Sequence, residues 1–464
     1  MTIMPSASMR TAVALLMALV TTVSTTAEAA QDEAASLRAE LDAVRSEYTS
    51  RLAALEQRIL QLEQAAATAP PDSGAPAPVA AQATASAFNP ATSVILTGNY
   101  AALSADPASY AIAGFIPSGG ETGPPERGFN LAESELTLAA NVDPYLYANL
   151  TAAIGADNEI GVEEAYLRSL ALPAGFGIKA GRFFSALGYL NEVHAHAWDF
   201  VDQPLVYQAL LAGQRSQDGV QLKWIAPSDL FIEIGAELGN GAAFPGTRRN
   251  RNGVNDTTLF AHVGGDIRDS ISWQSGLSWA DLRTQDRQFA DVDLAGDSVL
   301  NAFTGRSRLA AVDAVFKWSP VAGNTSRQVK LQAEYLQRRE SGTLTYDIGG
   351  LALPGDYASR QSGWYLQAVY QFKPRWRAGL RYDALDSGTT RLELVDSGQL
   401  ALADFPALLA ASPVRYTLML DWNPSEFSRL RAQFALDEAR ASERDRQLLL
   451  QYILSIGAHG AHKF

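Results

Sequence analysis

The sequence contains no cysteine, and beyond its first residues it has no long apolar run. The missing cysteine excludes a thiol nucleophile and any disulfide. A helix that crosses a membrane needs about 20 predominantly apolar residues, so the chain after residue 29 is not expected to cross a membrane with helices. The net charge of −13 argues against a nucleic-acid-binding protein. Neither a G-x-x-x-x-G-K-[ST] nor a G-x-S-x-G motif occurs, and we expect no enzyme.

Residues 1–29 have the pattern of a secretory signal peptide. Arg10 supplies a positive charge, residues 11–20 form an apolar core, and Ala27-Glu28-Ala29 is a cleavage site of the A-x-A type. The alternative, a single spanning anchor, is disfavoured because the apolar run is short. The mature chain is therefore expected to be exported.

Residues 31–64 follow a heptad-like pattern. Leu37, Leu41, Val44 and Tyr48 begin an apolar seam that a stutter interrupts before Leu52. The pattern predicts a short coiled coil, and the alternative is a lone amphipathic helix. A narrow seam buries little without partner helices, which favours self-association. Residues 65–90 are rich in alanine and proline and predict an extended linker.

The region 92–464 shows hydrophobic residues at every second position. In one segment Tyr416, Leu418, Leu420 and Trp422 alternate with Thr417, Met419 and Asp421. Segments of about ten residues, apolar on one face and polar on the other, are typical of transmembrane β-barrels. Short turns such as 372–376 alternate with long loops, predicted near 101–128, 185–216, 240–255, 283–305, 339–359 and 386–412. The sequence therefore predicts an all-β antiparallel barrel in an outer membrane.

The alternation predicts sixteen strands, and an even count closes an antiparallel barrel with both ends on the periplasmic side. The strands lie near 92–101, 129–140, 145–154, 160–171, 175–184, 217–226, 229–239, 256–267, 269–282, 306–318, 327–338, 360–372, 375–386, 413–423, 427–437 and 446–464. Weak alternation near 160–171 and 256–267 leaves the count open by two. The terminal Phe464 resembles the signal by which outer-membrane barrels are recognised for assembly.

Two parts of the sequence resemble known families. Glu163-Glu164-Ala165-Tyr166-Leu167, followed by residues 178–183, resembles Gram-negative outer-membrane porins, in particular the phosphate-selective porin O and P group. Residues 194–202 and 457–464 are similar to proteins labelled zinc-regulated TonB-dependent outer-membrane receptors. The porin resemblance implies a homotrimer in outer-membrane lipid, inserted by the barrel assembly machinery. The receptor label implies a plug domain, for which residues 31–92 offer only a helix and a linker.

The segment 185–216 is the third long loop, which in trimeric porins folds inward and narrows the pore. Its apolar side chains are expected to pack on the inner wall, and the lumen would be faced by Glu192, His194, His196, Asp199 and Asp202. Basic residues on the polar strand faces would form the opposite wall, namely Lys223, Lys330, Arg377, Arg381, Arg429 and Arg431. The two sets would create a field across the pore, or pair with one another and stiffen the lumen, or both.

A metal site is a second hypothesis for the same loop. His194 and His196 point the same way in an extended segment, and with Asp199 they form a reasonable ligand set for zinc. The alternative is a pair of pore-lining or hydrogen-bonded histidines.

The sequence thus favours a porin for passive diffusion of small ions or polar solutes, with a periplasmic coiled coil and no required cofactor. The alternative is a zinc-related outer-membrane receptor or binding protein on the same barrel.

Overall fold

The computed structural model describes residues 90–119, 122–247, 250–320, 327–441 and 443–457. The predicted signal peptide, the coiled coil, the linker up to residue 89 and Phe464 lie outside the described residues and stay predictions.

The described chain consists almost entirely of β-strands. The strands are β1 Ala91–Leu103, β2 Gly128–Leu131, β3 Ser134–Asn141, β4 Leu146–Ile154, β5 Ile160–Ser169, β6 Phe176–Phe184, β7 Ser216–Ile225, β8 Phe231–Gly239, β9 Asp256–Ile267, β10 Ile271–Val292, β11 Ser298–Trp318, β12 Gln328–Tyr346, β13 Leu353–Lys373, β14 Trp376–Leu392, β15 Val414–Ser425, β16 Ser428–Glu438 and β17 Asp445–Gly457. The α-helices are α1 Leu205–Leu211 and α2 Glu393–Asp396.

The strands close into a barrel because β1 pairs with β17. Along its other edge, β1 pairs first with β3 and then with β2, so these two segments are parts of one interrupted strand. Every neighbouring pair is antiparallel. The result is a closed antiparallel barrel of 16 strands, and the predicted count is confirmed.

Over the membrane-facing belt, the outer surface of the barrel carries the apolar half of the alternation. On β15, Tyr416, Leu418, Leu420 and Trp422 are exposed, whereas Thr417 and the other intervening side chains are buried inside. Trp376 stacks on Trp422 at a centroid distance of 5.8 Å. Farther along β14 and β15, Tyr382 lies against both Trp364 and Tyr416. Apolar bands between aromatic clusters are typical of membrane-facing barrels, so the exposed belt indicates a lipid environment.

Among the residues that the structure describes, no helix is long and apolar enough to cross a membrane.

The connections are short at one rim, here the short-turn rim, and mostly longer at the other, here the long-loop rim. Two of the predicted long loops are wrong, however. Residues 283–305 and 339–359 are largely strand, because β10 pairs with β11, and β12 with β13, almost to the tips of the hairpins. Polar residues there continue the ladder beyond the apolar belt, where the backbone hydrogen bonds still form.

The interior of the barrel next to the long-loop rim is packed rather than open. Residues 393–413 fold back over the long-loop rim. Their side chains Phe405 and Leu408 pack with Phe303, Tyr346 and Tyr357, which lie on the long strands β11–β13. A second apolar cluster surrounds α1, all seven residues of which are buried. A barrel of about sixteen strands leaves a channel unless chain fills it, and loops supply that filling here.

The outward position of Leu418 generates a test of the membrane-facing belt. Leu418 is 53% exposed and lies between Tyr416 and Trp422 on one face of β15. We expect Leu418→Arg to lower the free energy of unfolding in lipid by about 2–4 kcal/mol, since a cation is poorly solvated in the apolar belt. Reversible denaturant unfolding in lipid vesicles, followed by tryptophan fluorescence, measures the change. Leu402→Arg, on an exposed loop residue, is the control, and an equal loss in both variants would contradict the lipid-facing assignment.

Candidate pore constriction

Residues 185–215, here the constriction loop, connect β6 to β7 and enter the barrel. The loop begins with Ser185, whose hydroxyl donates to Glu237 at 2.6 Å, and Ala186 N–H also donates to Glu237, at 2.9 Å. Asn191 Nδ2 donates to Ser185 O at 2.7 Å and to Arg215 O at 2.9 Å. These bonds hold the two ends of the loop together, so the loop is a closed unit.

The turn at Gly188 brings the loop against the wall at β12. Tyr189 N–H and Leu190 N–H donate to the Glu334 carboxylate at 2.9 and 3.0 Å, and Tyr207 hydroxyl donates to it at 2.8 Å. Gly188 has a φ of +78°, and a Cβ there would lie 2.5 Å from a Glu334 oxygen. Only glycine fits this position, because both the backbone conformation and the close approach exclude a side chain.

One side of the loop meets six inward-facing cations on β12 and β14–β16, here the basic arc. The residues of this arc are Lys330, Arg377, Arg381, Arg415, Arg429 and Arg431. Asp199 accepts from Lys330 at 2.9 Å and from Arg377 at 3.0 Å. Asp202 binds Arg381 and Arg415, each at 2.8 Å. Asp199 and Asp202 are therefore each held by two cations.

The backbone of the loop is bound to the same arc. Arg431 donates to Trp198 O at 2.6 Å, and Arg429 donates to His196 O at 3.2 Å. Behind the cations, Asp421 pairs with Arg377 and Arg431, and Asp383 pairs with Arg381. This second row of carboxylates reduces the net positive charge of the basic arc and fixes its side chains.

The other side of the loop meets the acidic arc, formed by Glu135 on β3, Glu163 and Glu164 on β5, and Glu233 on β8. His196 Nδ1 lies 2.6 Å from Glu135 Oε1. His194 Nε2 lies 3.2 Å from Glu164, and His194 Nδ1 lies 3.4 Å from Glu135 and 3.5 Å from Glu163. In the ring of strands, β3–β8 and β12–β16 lie on different sides of the barrel, so the loop bridges two oppositely charged walls.

A β-bulge turns two adjacent glutamates toward the same histidine. Thr151 pairs with Glu164 and Ala152 pairs with Val162, which leaves Glu163 as the extra residue of β5. Neighbouring residues of a regular strand face opposite sides, but a bulge breaks this alternation and re-aims a side chain. The bulge explains why the segment near 160–171 alternates weakly in sequence.

Burial and neighbouring charges act in opposite directions on the pKa values of the loop's titratable side chains. Burial raises the pKa of Asp202, but Arg415 and Arg381 outweigh it and lower that pKa to about 2. Lys330 and Arg377 likewise hold the pKa of Asp199 well below its usual range, against the effect of burial. Burial lowers the pKa of His194, yet the three neighbouring glutamate carboxylates raise that pKa well above its usual range. The two aspartates therefore remain charged at neutral pH.

The predicted site residues thus divide between the two walls. Asp199 and Asp202 contact the basic arc, and His194 and His196 contact the acidic arc. Glu192 lies 3.9 Å from Lys179. Of the predicted basic wall, Lys223 lies on the other side of the barrel, where it donates to Glu233 at 2.7 Å.

The predicted zinc ligands are not gathered at one point. Asp199 is engaged by Lys330 and Arg377, whereas His194 and His196 turn to glutamates. Two cations already neutralise the Asp199 carboxylate, so its oxygens are directed to the basic arc. Zinc binding stays a prediction, and the geometry brings a different set of carboxylates to His194.

Several residues that hold the loop were missed by the sequence reasoning. They are Glu135, Glu163, Glu164, Glu334 and Arg415. Arg415 shares its phase with Thr417 and Asp421, so the alternation could have found it. The Glu163-Glu164 pair inside a strand was a signal for the bulge. Glu135 carries no such signal, since it lies 61 residues from His196.

A cavity of about 850 Å³ lies between the loop and the short-turn rim. Val193, His196 and Asp199 of the loop form part of its lining, together with Arg377 and Arg429. Turn residues 268–270 and 426–428 also line it, so the cavity reaches the rim. Water from that side can therefore approach the loop.

Comparisons with known proteins add a relative and a set of similar folds. No protein-family model matches the chain. The high-pH structure of Pseudomonas putida OprB has a TM-score of 0.48 and 12% identity, over 79% of this chain and 94% of that one. The outer membrane channel DcaP of Acinetobacter baumannii has a TM-score of 0.44 and 12% identity, over 79% and 96%. These TM-scores are below 0.5, so the function has to be inferred from the geometry of this chain.

A sequence relative establishes the family. An uncharacterized protein of Aquifex aeolicus (strain VF5) is 32% identical over 355 residues, which are 73% of this chain and 71% of that protein. The chain belongs to the same protein family as this Aquifex aeolicus protein.

Proposed function

We propose that the chain is an outer-membrane porin for passive diffusion of small ions or polar solutes, narrowed by the constriction loop. The observation that carries the proposal is the bridge across the lumen, with Asp199 and Asp202 on the basic arc and His194 and His196 on the acidic arc. A loop held between charged walls is the arrangement that sets the width and the ion preference of a pore. The apolar exterior and the closed sheet supply the membrane-spanning scaffold.

The proposed path follows the side of the acidic arc. On β11, five successive inward residues from Ser307 to Val315 are at most 1% exposed, so packed chain covers that wall. Polar side chains near β5–β8 remain accessible, with exposed side-chain fractions of 20% for His194, 25% for Lys223 and 17% for Glu192. We propose that water and solutes pass between the loop and β5–β8, where these side chains lie.

Carboxylates outnumber lysines along this path. Glu163, Glu164, Glu192 and Glu233 lie there with Lys179 and Lys223. Rings and rows of carboxylates favour cations, so we propose a cation preference. In this proposal, the ion pairs between the loop and the basic arc keep the loop rigid. The acidic arc determines which ions pass.

The proposal also covers the oligomeric state and the location of the protein. We propose a homotrimer in the outer membrane of a Gram-negative bacterium, inserted by the barrel assembly machinery, with the coiled coil 31–64 in the periplasm. The narrow apolar seam of that segment supports self-association.

The coiled coil can be tested separately from the channel. We expect native mass spectrometry of the unheated protein to give the mass of a trimer, and deletion of residues 31–64 to reduce the trimer fraction, because the apolar seam is lost. Deletion of the linker segment 66–88 is the control for shortening the chain. A monomer in every case would refute the trimer.

The cation preference predicts the behaviour of single channels. We expect the purified protein in planar bilayers to give discrete conductance steps and a reversal potential on the cation side in a potassium chloride gradient. Glu192→Gln/Glu233→Gln should shift the reversal potential toward anions, because Lys179 and Lys223 then lose their carboxylates. Asp297→Asn, in an exposed turn, is the control. A wild-type protein that inserts but never conducts would refute the porin proposal.

The loop's attachment to the basic arc gives a second conductance test. We expect Asp199→Asn/Asp202→Asn to weaken the anchoring by about 3 kcal/mol, since Lys330 loses its carboxylate and three arginines each lose one of theirs. The freed loop should give larger or noisier conductance steps, and hydrogen exchange of residues 190–203 should accelerate. Asp297→Asn again serves as the control. Unchanged conductance and unchanged exchange would show that these ion pairs do not hold the loop.

A further inference from the structure

The acidic arc gathers three potential metal ligands around one point. Glu135, Glu163 and His194 each direct one ligand atom to a common region, and these atoms lie within 4.8 Å of one another. His194 Nδ1 is 3.4 Å from Glu135 Oε2 and 3.5 Å from Glu163 Oε2. The three residues come from β3, β5 and the constriction loop, so only the folded barrel brings them together.

Two of these atoms are buried without a hydrogen-bond partner. His194 Nδ1 and Glu163 Oε2 are shielded from water, and their contact lacks hydrogen-bond geometry. Buried polar atoms are nearly always satisfied, so a pair of unsatisfied atoms that face each other requires an explanation. A bound cation between them supplies one, because it accepts electron pairs from both.

The spacing of the atoms agrees with a small divalent ion. Zinc binds imidazole nitrogen and carboxylate oxygen at about 2.0–2.2 Å with tetrahedral angles, which separates neighbouring ligand atoms by about 3.3–3.6 Å. The two distances from His194 Nδ1 fall in this range. One imidazole with two carboxylates suits zinc better than calcium or magnesium, which prefer oxygen ligands alone.

The surrounding contacts orient the ligands as in known metal centres. His194 Nε2 lies 3.2 Å from Glu164 Oε2, which can accept the ring N–H and leave the Nδ1 lone pair for an ion. Glu135 Oε1 lies 2.6 Å from His196 Nδ1, which leaves Glu135 Oε2 for the same ion. Outer contacts of this kind fix the tautomer and rotation of metal ligands.

We propose that Glu135, Glu163 and His194 form a zinc-class divalent cation site that fastens the constriction loop to the acidic arc. Glu164 and His196 are positioning residues for His194 and Glu135. The ion offsets the excess negative charge of the three glutamates and joins the loop to β3 and β5. Three protein ligands leave a fourth coordination position for water or an anion. This site does not depend on conduction, so it stands or falls separately from the porin proposal.

Calorimetry with zinc chloride on the refolded full-length protein in detergent tests the site. The background variant is His459→Ala/His462→Ala, which removes two other histidines of the chain. We expect one zinc ion per chain in this background, loss of binding in Glu163→Gln, and about 10–100-fold weaker binding in Glu164→Gln. His262→Gln, which changes the histidine paired with Glu233, should bind like the background. Equal heats in the background and Glu163→Gln would overturn the proposal.

X-ray absorption at the zinc edge gives a second measurement, which does not depend on how the variants fold. We expect a first shell of oxygen and nitrogen with a single imidazole in the background protein. Two or more imidazoles would assign the zinc to another histidine pair and refute this ligand set. Hydrogen exchange should also slow at residues 190–196 when zinc is added to the background and remain unchanged in Glu163→Gln. Equal exchange with and without zinc in the background would refute the fastening role.

Discussion

The structure depends on the pairing of charges in a space that water reaches poorly. Asp199 and Asp202 are each held by two cations of the basic arc. A carboxylate moved out of water loses several kcal/mol of solvation, which only close cations and hydrogen bonds restore. The loop can therefore enter the barrel only where the wall presents those partners. The basic arc satisfies this requirement with a second row of carboxylates behind it.

The same constraint explains the division of the interior. Apolar side chains of α1 pack against the long strands β11–β13, where the wall contributes Leu309, Leu336 and Tyr365. The polar residues of the loop are left to the two charged arcs, one on each side. Because both arcs are required for the loop to sit without unpaired charges, its position is determined from two directions. The bulge at Glu163 adds negative charge on the side of β5–β8, along which we propose that solutes pass.

Much of the scaffold could be predicted from the sequence, and the candidate site only in part. The two-residue alternation gave all sixteen strands, and the closed antiparallel barrel is confirmed. The predicted loops at 283–305 and 339–359 were wrong because polar alternation beyond the apolar belt resembles loop composition. Within the loop, residue type indicated which side chains carry charge. It could not indicate that Asp199 would face arginines while His194, five positions earlier, would face glutamates.

The sequence by itself determined the period of the sheet, the apolar exterior and the charged lumen, because each follows from local order along one strand. Only the tertiary structure decided which charges meet. Glu135, Glu163 and His194 come together because barrel closure and a single-residue bulge bring β3 and β5 beside the third loop. Residue spacing along the chain carries no information about this contact, because the register and closure of the whole sheet set the distances between the three side chains. The stretch of His, Asp and aromatic residues in that loop is therefore one half of a site, and the walls of the barrel supply the other half.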